Sequence, residues 1–421
     1  MKLLFFVENF PPEHNAQASR VYERACYWVS WGHEVTVVTG APNFPEGKVY
    51  EGYKNRWRQV EYISGIRVLR VKTLISANRG KWMRIADFLS FMFSAYFATL
   101  FEPRPDIVVA SSPQFFAAVG AWALSGTKRV PFFFELADLW PASIVAVGAM
   151  RPSLFLRWME KLELYLYKES AAVIALTCAF KNDLVRRGID PAKVFIVRNG
   201  VDLSRYAPRP RDQVLAKQLG IEPGNFVVGY VGTHGMAHAL EKVLDASESV
   251  QGTCLQFLFV GGGAARDSLV TEAARRGLRN VILVPAQAKD QMPAYWSLCN
   301  AALVHLKDTP LFKTVIPSKI FEAMGMGLPI LLASPKGEAS DIVESHQAGL
   351  WVPPEDTSKL VHAAMLLAEN KELCSRLGAN SLASAPMFSR ERQAREMMAV
   401  LEHKIDQIQV QEVIPVTPGI G

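Results

Sequence analysis

IPSKIFEAMGMGLPILL, residues 316–332, decides how the rest of this 421-residue chain is read. Pro317 and Ser318 mark a helix start, since proline's fixed φ suits a first turn and a serine oxygen caps an orphan amide. Lys319 and Glu322, three apart, share one face of the helix, while Ile320, Phe321 and Met324 form the inward one. Gly325 and Gly327 let the chain leave the helix, Pro329 prevents its resumption, and Ile330–Leu332 reads as a buried strand. What remains open is the amino end. Its free amides and positive dipole attract a phosphate, Lys319 adds a full charge, and Glu322 can accept hydrogen bonds from sugar hydroxyls. The stretch is a nucleotide-sugar site in outline.

Outward from it the same strand-and-helix alternation recurs. Short apolar runs at 227–231, 257–260, 281–284, 302–306, 330–332 and 350–352 are separated by helical patterns, and so are several of those at 3–7, 35–38, 68–71, 107–110, 132–134, 173–175 and 195–197. Such alternation predicts parallel sheets covered on both faces. Residues 206–223 turn polar and carry Pro208, Pro210 and Pro223, so the boundary falls there. The expected fold class is α/β, with two doubly wound Rossmann-like domains, 1–205 and 206–387, facing across a cleft. The length suffices for two cores, since a single core rarely grows beyond about 250–300 residues.

Half the residues are hydrophobic and 20% are charged, which excludes a disordered chain. A net charge of +6 favours anionic partners such as nucleotides, diphosphates or an anionic membrane face. No basic region is interleaved with aromatics in the manner of a nucleic-acid module, so no nucleic-acid partner is expected. Cys26, Cys178, Cys254, Cys299 and Cys374 lack CxxC spacing and fit buried thiols in a reducing compartment rather than a disulfide framework or a metal site. The opening MKLLFFVENFPPE is interrupted by Glu8 too early for a signal-peptide core and reads as a first buried strand.

Candidate chemistry gathers where strands end, because doubly wound sheets place ligands there. After the first strand, Glu13, His14 and Asn15 are candidates for acceptor binding; the structural alternative is a proline-fixed loop that caps a helix, with Ser19 near its start. In FFFELADLWP, Glu135 and Asp138 fall at a strand end, either as a base and acceptor-orienting group or, for the aspartate, as a turn cap. RNGVD at 198–202 reads as architecture. In the second half, Gly232, Thr233 and His234 begin the loop GTHGMAHALEK, where glycines let amides approach a phosphate and Lys242 follows on the next helix. His234 and His238 are either diphosphate contacts or solvated surface residues. Gly261 and Gly262, with Pro285 and Ala286 after the next strand, are placed to cradle a base and ribose. Between Arg79 and Arg104, residues 88–101 are nearly all apolar, too short to span a bilayer, and fit a core helix or a membrane-surface helix equally well; Trp82 and flanking basic residues resemble headgroup anchors.

Three features coincide: PSKIFEAMGMGLPI, GTHGMAHALEK, and FPPE followed by FELADLWP. Together they resemble the retaining glycosyltransferases of family 4, with the GT-B fold, and within them the branch that builds O-antigen, capsule and exopolysaccharide units and includes N-acetyl-L-fucosamine transferases. The resemblance covers residues 1 to about 400. It implies that Glu322 binds the nucleotide ribose, that Lys242 and Lys319 hold the diphosphate, and that the base sits against Pro285 and Ala286. A second glutamate usual in that family, eight positions before the first, is replaced here by Thr314, leaving the amides of Val315 and Ile316, with Ser318, to meet the donor sugar. A helix over 388–407 returning to the first domain, then a tail at 408–421 without helical periodicity, completes the expectation.

The expected activity is therefore transfer of a sugar, an N-acetylated amino sugar among the candidates, from a UDP-sugar to a lipid-diphosphate-linked saccharide in bacterial surface polysaccharide assembly. Asp138, Glu135 and Lys242 are the catalytic candidates. No cofactor or metal is expected, since no Asp-x-Asp pair occurs. The enzyme would work at the cytoplasmic face of the cell membrane, with peripheral contact through 79–104. Rival readings are a nucleotide-sugar epimerase on the same fold and a non-catalytic binding subunit, the latter favoured by the threonine at 314.

Overall fold

A computed structural model describes residues 1–13, 15–44, 46–75, 81–112, 114–139 and 153–413, with backbone alone at 81–82 and 410–413. The chain divides into two compact units, residues 1–198 with 393–421, and residues 199–392. In the first unit the order is β1 (Lys2–Phe6), α1 (Ala16–Ser30), β2 (Glu34–Gly40), β3 (Arg58–Ile63), β4 (Ile66–Val71), α2 (Lys81–Leu100), β5 (Ile107–Ser111), α3 (Phe115–Lys128), β6 (Phe132–Leu136), α4 (Leu154–Glu169), β7 (Ala172–Ala175), α5 (Cys178–Arg186) and β8 (Val194–Ile196). Its sheet runs β3-β4-β2-β1-β5-β6-β7-β8, all parallel except the pair β3–β4. Every residue of β5, β6 and β7 is buried, as a sheet covered on both faces requires.

The antiparallel edge strand β3 was not among the expected strands. Its signal was present: RQVEYI alternates, and Ser64–Gly65 has positive φ at both positions, the two-residue turn that joins antiparallel strands.

The second unit contains α6 (Gln213–Gln218), β9 (Phe226–Val231), α7 (Leu240–Ser249), β10 (Leu255–Val260), α8 (Arg266–Arg275), β11 (Val281–Val284), α9 (Met292–Trp296), β12 (Ala301–His305), α10 (Lys319–Met326), β13 (Ile330–Ala333), α11 (Glu338–Ser345), β14 (Gly349–Val352), α12 (Thr357–Glu369) and α13 (Lys371–Ser384). Its six parallel strands are ordered β11-β10-β9-β12-β13-β14. The six apolar runs expected in this half are these strands. RNGVD is architectural here: Val201 bridges Ser389, and Arg390 donates to the Asn199 side chain at 2.7 Å.

A final helix, α14 (Arg390–Val413), returns to the first unit, where Ala394, Met397, Met398 and Leu401 join the core and the Trp28 indole donates to the Ala394 carbonyl at 3.0 Å. It continues past Gln407, where the periodicity had suggested a tail. The cysteines correct another expectation: all five are free, but only Cys299 is buried.

Glu135 lies on β6 with no exposed surface. Its carboxylate takes two hydrogen bonds from Arg24, at 2.7 and 3.0 Å, and stands 3.3 Å from Arg20, both on α1. Burial alone would raise its pKa, yet Arg24 and Arg20 hold it at about 2. Instead of projecting from the sheet edge, this side chain is a structural anion inside the first unit, which removes it from the catalytic candidates. Because the folded pKa lies below the unfolded one, its contribution to stability is full above about 4.5 and lost as pH falls towards about 2. Glu135→Gln leaves Arg24 buried with its charge uncompensated and is expected to lower the unfolding free energy by about 3–5 kcal/mol in urea denaturation. An unchanged midpoint would show that the pair contributes nothing.

Candidate functional site

In the second sheet the chain builds outward from β9 through β10 to β11, then crosses to β12 on the other side of β9. The loops following β9 and β12 therefore flank the point where strand order reverses, the place a doubly wound sheet leaves open for a ligand. Lys319, the first residue of α10, projects there. It is buried, with its ammonium 3.7 Å from the centre of the Tyr230 ring, and it lies close beneath Gly232, where a Cβ would stand 3.3 Å from Nζ. Burial pushes its pKa down to about 7, with Glu322 pulling it back up. Glu322 is partly exposed and accepts a hydrogen bond from the buried Trp296 indole at 3.3 Å. The two charged residues of the 316–332 stretch thus share a helix face, as their spacing required.

The helix itself differs from expectation at both ends. Ser318 has helical backbone angles and makes no side-chain cap; Ile320 donates instead to the Pro317 carbonyl at 3.1 Å, and Phe321 and Glu322 to that of Ser318, so the first turn closes on its own backbone. Gly325 does not end the helix, which runs on to Met326 and is capped by Gly327 at φ 70°. It is needed for close approach, because a Cβ there would lie 2.7 Å from the Tyr206 carbonyl.

The glycine loops pack on each other. The Gly232 amide donates to Val260, and the Gly261 amide to Val284, so each prolongs a strand ladder instead of facing a phosphate. His234 donates its amide to the Gly262 carbonyl, and Thr233 lies exposed between the two engaged positions. Gly261 and Gly263 have φ of 153° and 139°, and a Cβ would stand 1.9 Å from the Gly232 carbonyl or 2.7 Å from that of His234, which restricts both to glycine. Ala286, exposed with Pro285 after β11, faces Gly262 at 3.3 Å from the position of its absent Cβ.

His234 is wholly buried, not a solvated residue, and neither ring nitrogen has a hydrogen-bond partner among the described residues. Burial, with Arg266 and Lys319 adding to it, lowers its pKa to about 4. His238 is lowered to about 3, chiefly by burial. Its Nδ1 donates to the His305 carbonyl at 3.3 Å and His305 Nδ1 returns a bond to His238 at 2.7 Å, so the loops after β9 and β12 are tied reciprocally by two neutral imidazoles. Tyr230, Trp296 and His305 were not singled out from the sequence. Each is an isolated polar or aromatic position in an apolar run, and only the strand or helix register shows which way it points.

Lys242, on α7, stands 3.3 Å from Asp245, which also pairs with Arg276 at 2.7 Å. Thr314 turns its hydroxyl back to the Leu311 carbonyl at 2.7 Å, and Val315 and Ile316 follow it, partly exposed, into Pro317 and α10.

In the first sheet, order reverses between β1 and β5. Glu13 follows β1 but is buried: it accepts from the amides of Asn43 and Phe44, both at 2.9 Å, from the Asn9 side chain and from the Phe10 amide. It clasps two loops together and has no side left for a sugar. Asn15 caps α1, accepting from the Ala18 amide at 2.8 Å, and Ser19 lies in the helix's first turn. His14 lies outside the described residues. Asp138 is partly exposed just past β6, its amide directed at the Ser112 hydroxyl at 3.2 Å. Of the three first-unit carboxylate candidates, Glu13, Glu135 and Asp138, it alone is partly exposed.

Residues 15–200 match the family model described as Glycosyl transferase 4-like domain, and residues 212–383 match Glycosyl transferases group 1. The putative colanic acid biosynthesis glycosyl transferase WcaI of Escherichia coli K12 is 24% identical over 373 residues, spanning 86% of this chain and 90% of that protein. Among solved structures, sucrose-phosphate synthase from Thermosynechococcus elongatus superimposes with a TM-score of 0.77 at 17% identity, covering 95% of this chain and 98% of its own. HepE of Anabaena, in complex with UDP and glucose, gives 0.73 at 18% identity over 96% of this chain and 100% of its own. At such identities the structural likeness establishes the fold, which is GT-B.

Lys319 provides a test of the site's electrostatics. Its folded pKa is below the unfolded one, so the unfolded chain binds the extra proton and stability rises with pH from about 7 upward until the unfolded lysine also titrates. Lys319→Met is expected to remove that slope and to stabilise the ligand-free protein near neutral pH by about 1–4 kcal/mol, as when buried charge gives way to apolar packing. Thermal unfolding across a pH series checks it; a wild-type profile flat over that range would place the ammonium in water.

Proposed function

We propose that the chain is a glycosyltransferase, with a 4-like domain leading and a group 1 domain following, and that it transfers a hexosyl unit from a UDP-sugar to a lipid-diphosphate-linked saccharide in bacterial surface polysaccharide assembly. The observation that carries this proposal is Lys319, buried at the reversal point of the second sheet with Glu322 three residues on. A lysine held near its neutral form by burial regains its charge, and repays its desolvation, when a diphosphate arrives beside it.

In this scheme the second domain holds the donor. Lys319 receives the diphosphate, Glu322 the ribose, and the exposed edge of Pro285 and Ala286 the base. Negative charge grows on the leaving diphosphate as the glycosidic bond breaks, so a fixed cation there stabilises the transition state more than the ground state. Lys242 joins it by exchanging Asp245 for phosphate. Transfer proceeds with retention: a donor phosphate oxygen takes the proton of the acceptor hydroxyl on the face from which the diphosphate departs. Asp138 is the first-domain candidate for engaging the acceptor. Thr314, Val315 and Ile316, leading into α10, meet the donor sugar, and UDP-linked N-acetylated amino sugars are the donors to test first. UDP is favoured by HepE, solved with UDP and glucose, and the polysaccharide by WcaI, named for colanic acid biosynthesis. A lipid-linked acceptor places the enzyme at the cytoplasmic face of the cell membrane as a peripheral protein. No helix among the described residues is long and apolar enough to cross a bilayer.

Purified protein is expected to form product only when a UDP-sugar and a lipid-linked saccharide are both supplied. Product from the UDP-sugar alone would establish an epimerase, and no turnover with any donor a binding subunit. Glu322→Ala is expected to weaken UDP binding at least about tenfold in calorimetry, or about 1.4 kcal/mol; unchanged affinity would remove the ribose contact.

A further inference from the structure

The stretch 88–101, expected as a core helix or a membrane-surface helix, buries one face and exposes the other. On α2, Phe91, Ala95 and Ala98 are buried, while Phe93 and Phe97 face outward, and Phe101, just past the helix end, is 92% exposed. On α4 the same division recurs: Leu156, Met159 and Leu166 face inward, and Leu154, Phe155 and Trp158 face out, Leu154 being 81% and Trp158 58% exposed. The helix between them joins the two into one layer. Tyr96 of α2 meets the Thr127 hydroxyl of α3 at 3.1 Å, and Trp122 of α3 meets the Tyr165 ring of α4 at 5.6 Å. Exposed aromatic and aliphatic side chains on one helical layer mark a candidate interaction face.

Its charge selects the partner. Arg157 and Lys161 are exposed on α4 beside Trp158, and Arg104 and Arg129 are exposed where α2 and α3 end, with Arg104 fixed by a hydrogen bond to the Arg129 carbonyl at 2.6 Å. None of these four forms an ion pair among the described residues. Aromatic rings rimmed by unpaired cations match the boundary of an anionic bilayer, where rings sit at headgroup depth and cations meet phosphate. We propose that the outer faces of α2 and α4 dock the first domain on an anionic lipid surface, the helices lying flat on it. For its purpose this deepens the lipid-linked acceptor of the preceding section and rests on it. α4 leads into the start of β7 and so begins at the opposite edge of that sheet, the edge where β6 delivers Asp138. Docking would bring that edge, and with it an acceptor held in the membrane, to the same plane.

The full chain is mixed with vesicles of phosphatidylcholine containing phosphatidylglycerol and with vesicles of phosphatidylcholine alone, and sedimented. Binding to the anionic vesicles is expected to be at least about tenfold tighter and to weaken with salt. The triple variant Phe97→Ser, Phe101→Ser, Trp158→Ser should lose at least about tenfold on anionic vesicles, and Arg157→Glu with Lys161→Glu should abolish the preference for them. Thermal stabilisation by UDP is followed in parallel: its retention in the variants shows intact folding, and its absence from the wild type would count against the donor site while leaving vesicle binding as the separate test of this surface. Failure of the wild type to bind anionic vesicles, or equal binding by the triple variant, overturns the proposal. So does a dimer in sedimentation velocity that the triple variant dissociates, which would make this face a contact between copies.

Discussion

A lysine ammonium held out of water against a tyrosine ring is the constraint on which the second domain turns. Lys319 reaches its position because α10 starts where the chain has crossed from β11 to β12, and it stays there because Tyr230 lies under it and Gly232 over it. Such a group is destabilising by itself, so its surroundings must fix it by packing. The reciprocal imidazole-to-carbonyl bonds of His238 and His305 do so by tying the two neighbouring loops, and the backbone contacts of Gly261 and Gly263 hold the β9 loop from the other side. The loops that look like flexible phosphate cradles are a rigid frame around one cation.

The first domain applies the opposite solution to the same problem. Arg24 and Arg20 are buried too, but both stand against the Glu135 carboxylate, and Glu13 is satisfied by backbone amides. Those charges are engaged within the fold. The contrast separates charges engaged inside the fold from a buried ammonium set against a tyrosine ring, and it leaves Asp138 as the partly exposed residue among the first-domain carboxylate candidates described.

Much of this was legible in the sequence because period is a robust signal. Fully buried parallel strands read as apolar runs, and the six of the second domain stand where those runs are; so does the shared face of Lys319 and Glu322, which follows from a spacing of three. What was not legible depends on where a side chain points across distance. Glu135 and Asp138 are three apart, and only the register of β6 against β7 and α1 sends one inward to Arg24 and leaves the other at the edge. Ser318 resembled a cap, but a first turn closed on Pro317 has no room for one. Strand β3, with one exposed face, was hidden by its polar residues although its turn was visible.

The pairing of Val201 with Ser389 has a wider meaning. Chain enters the second unit at Asn199 and leaves it at Arg392, and the two crossings are hydrogen-bonded side by side. A module whose two ends are already adjacent is topologically an inserted cassette: its host must spare only a narrow gap in its own backbone to carry it, and closing that gap demands little loop entropy. Halves built this way can be exchanged between scaffolds by recombination at two neighbouring points, so that the inserted unit and its host are free to evolve on separate schedules.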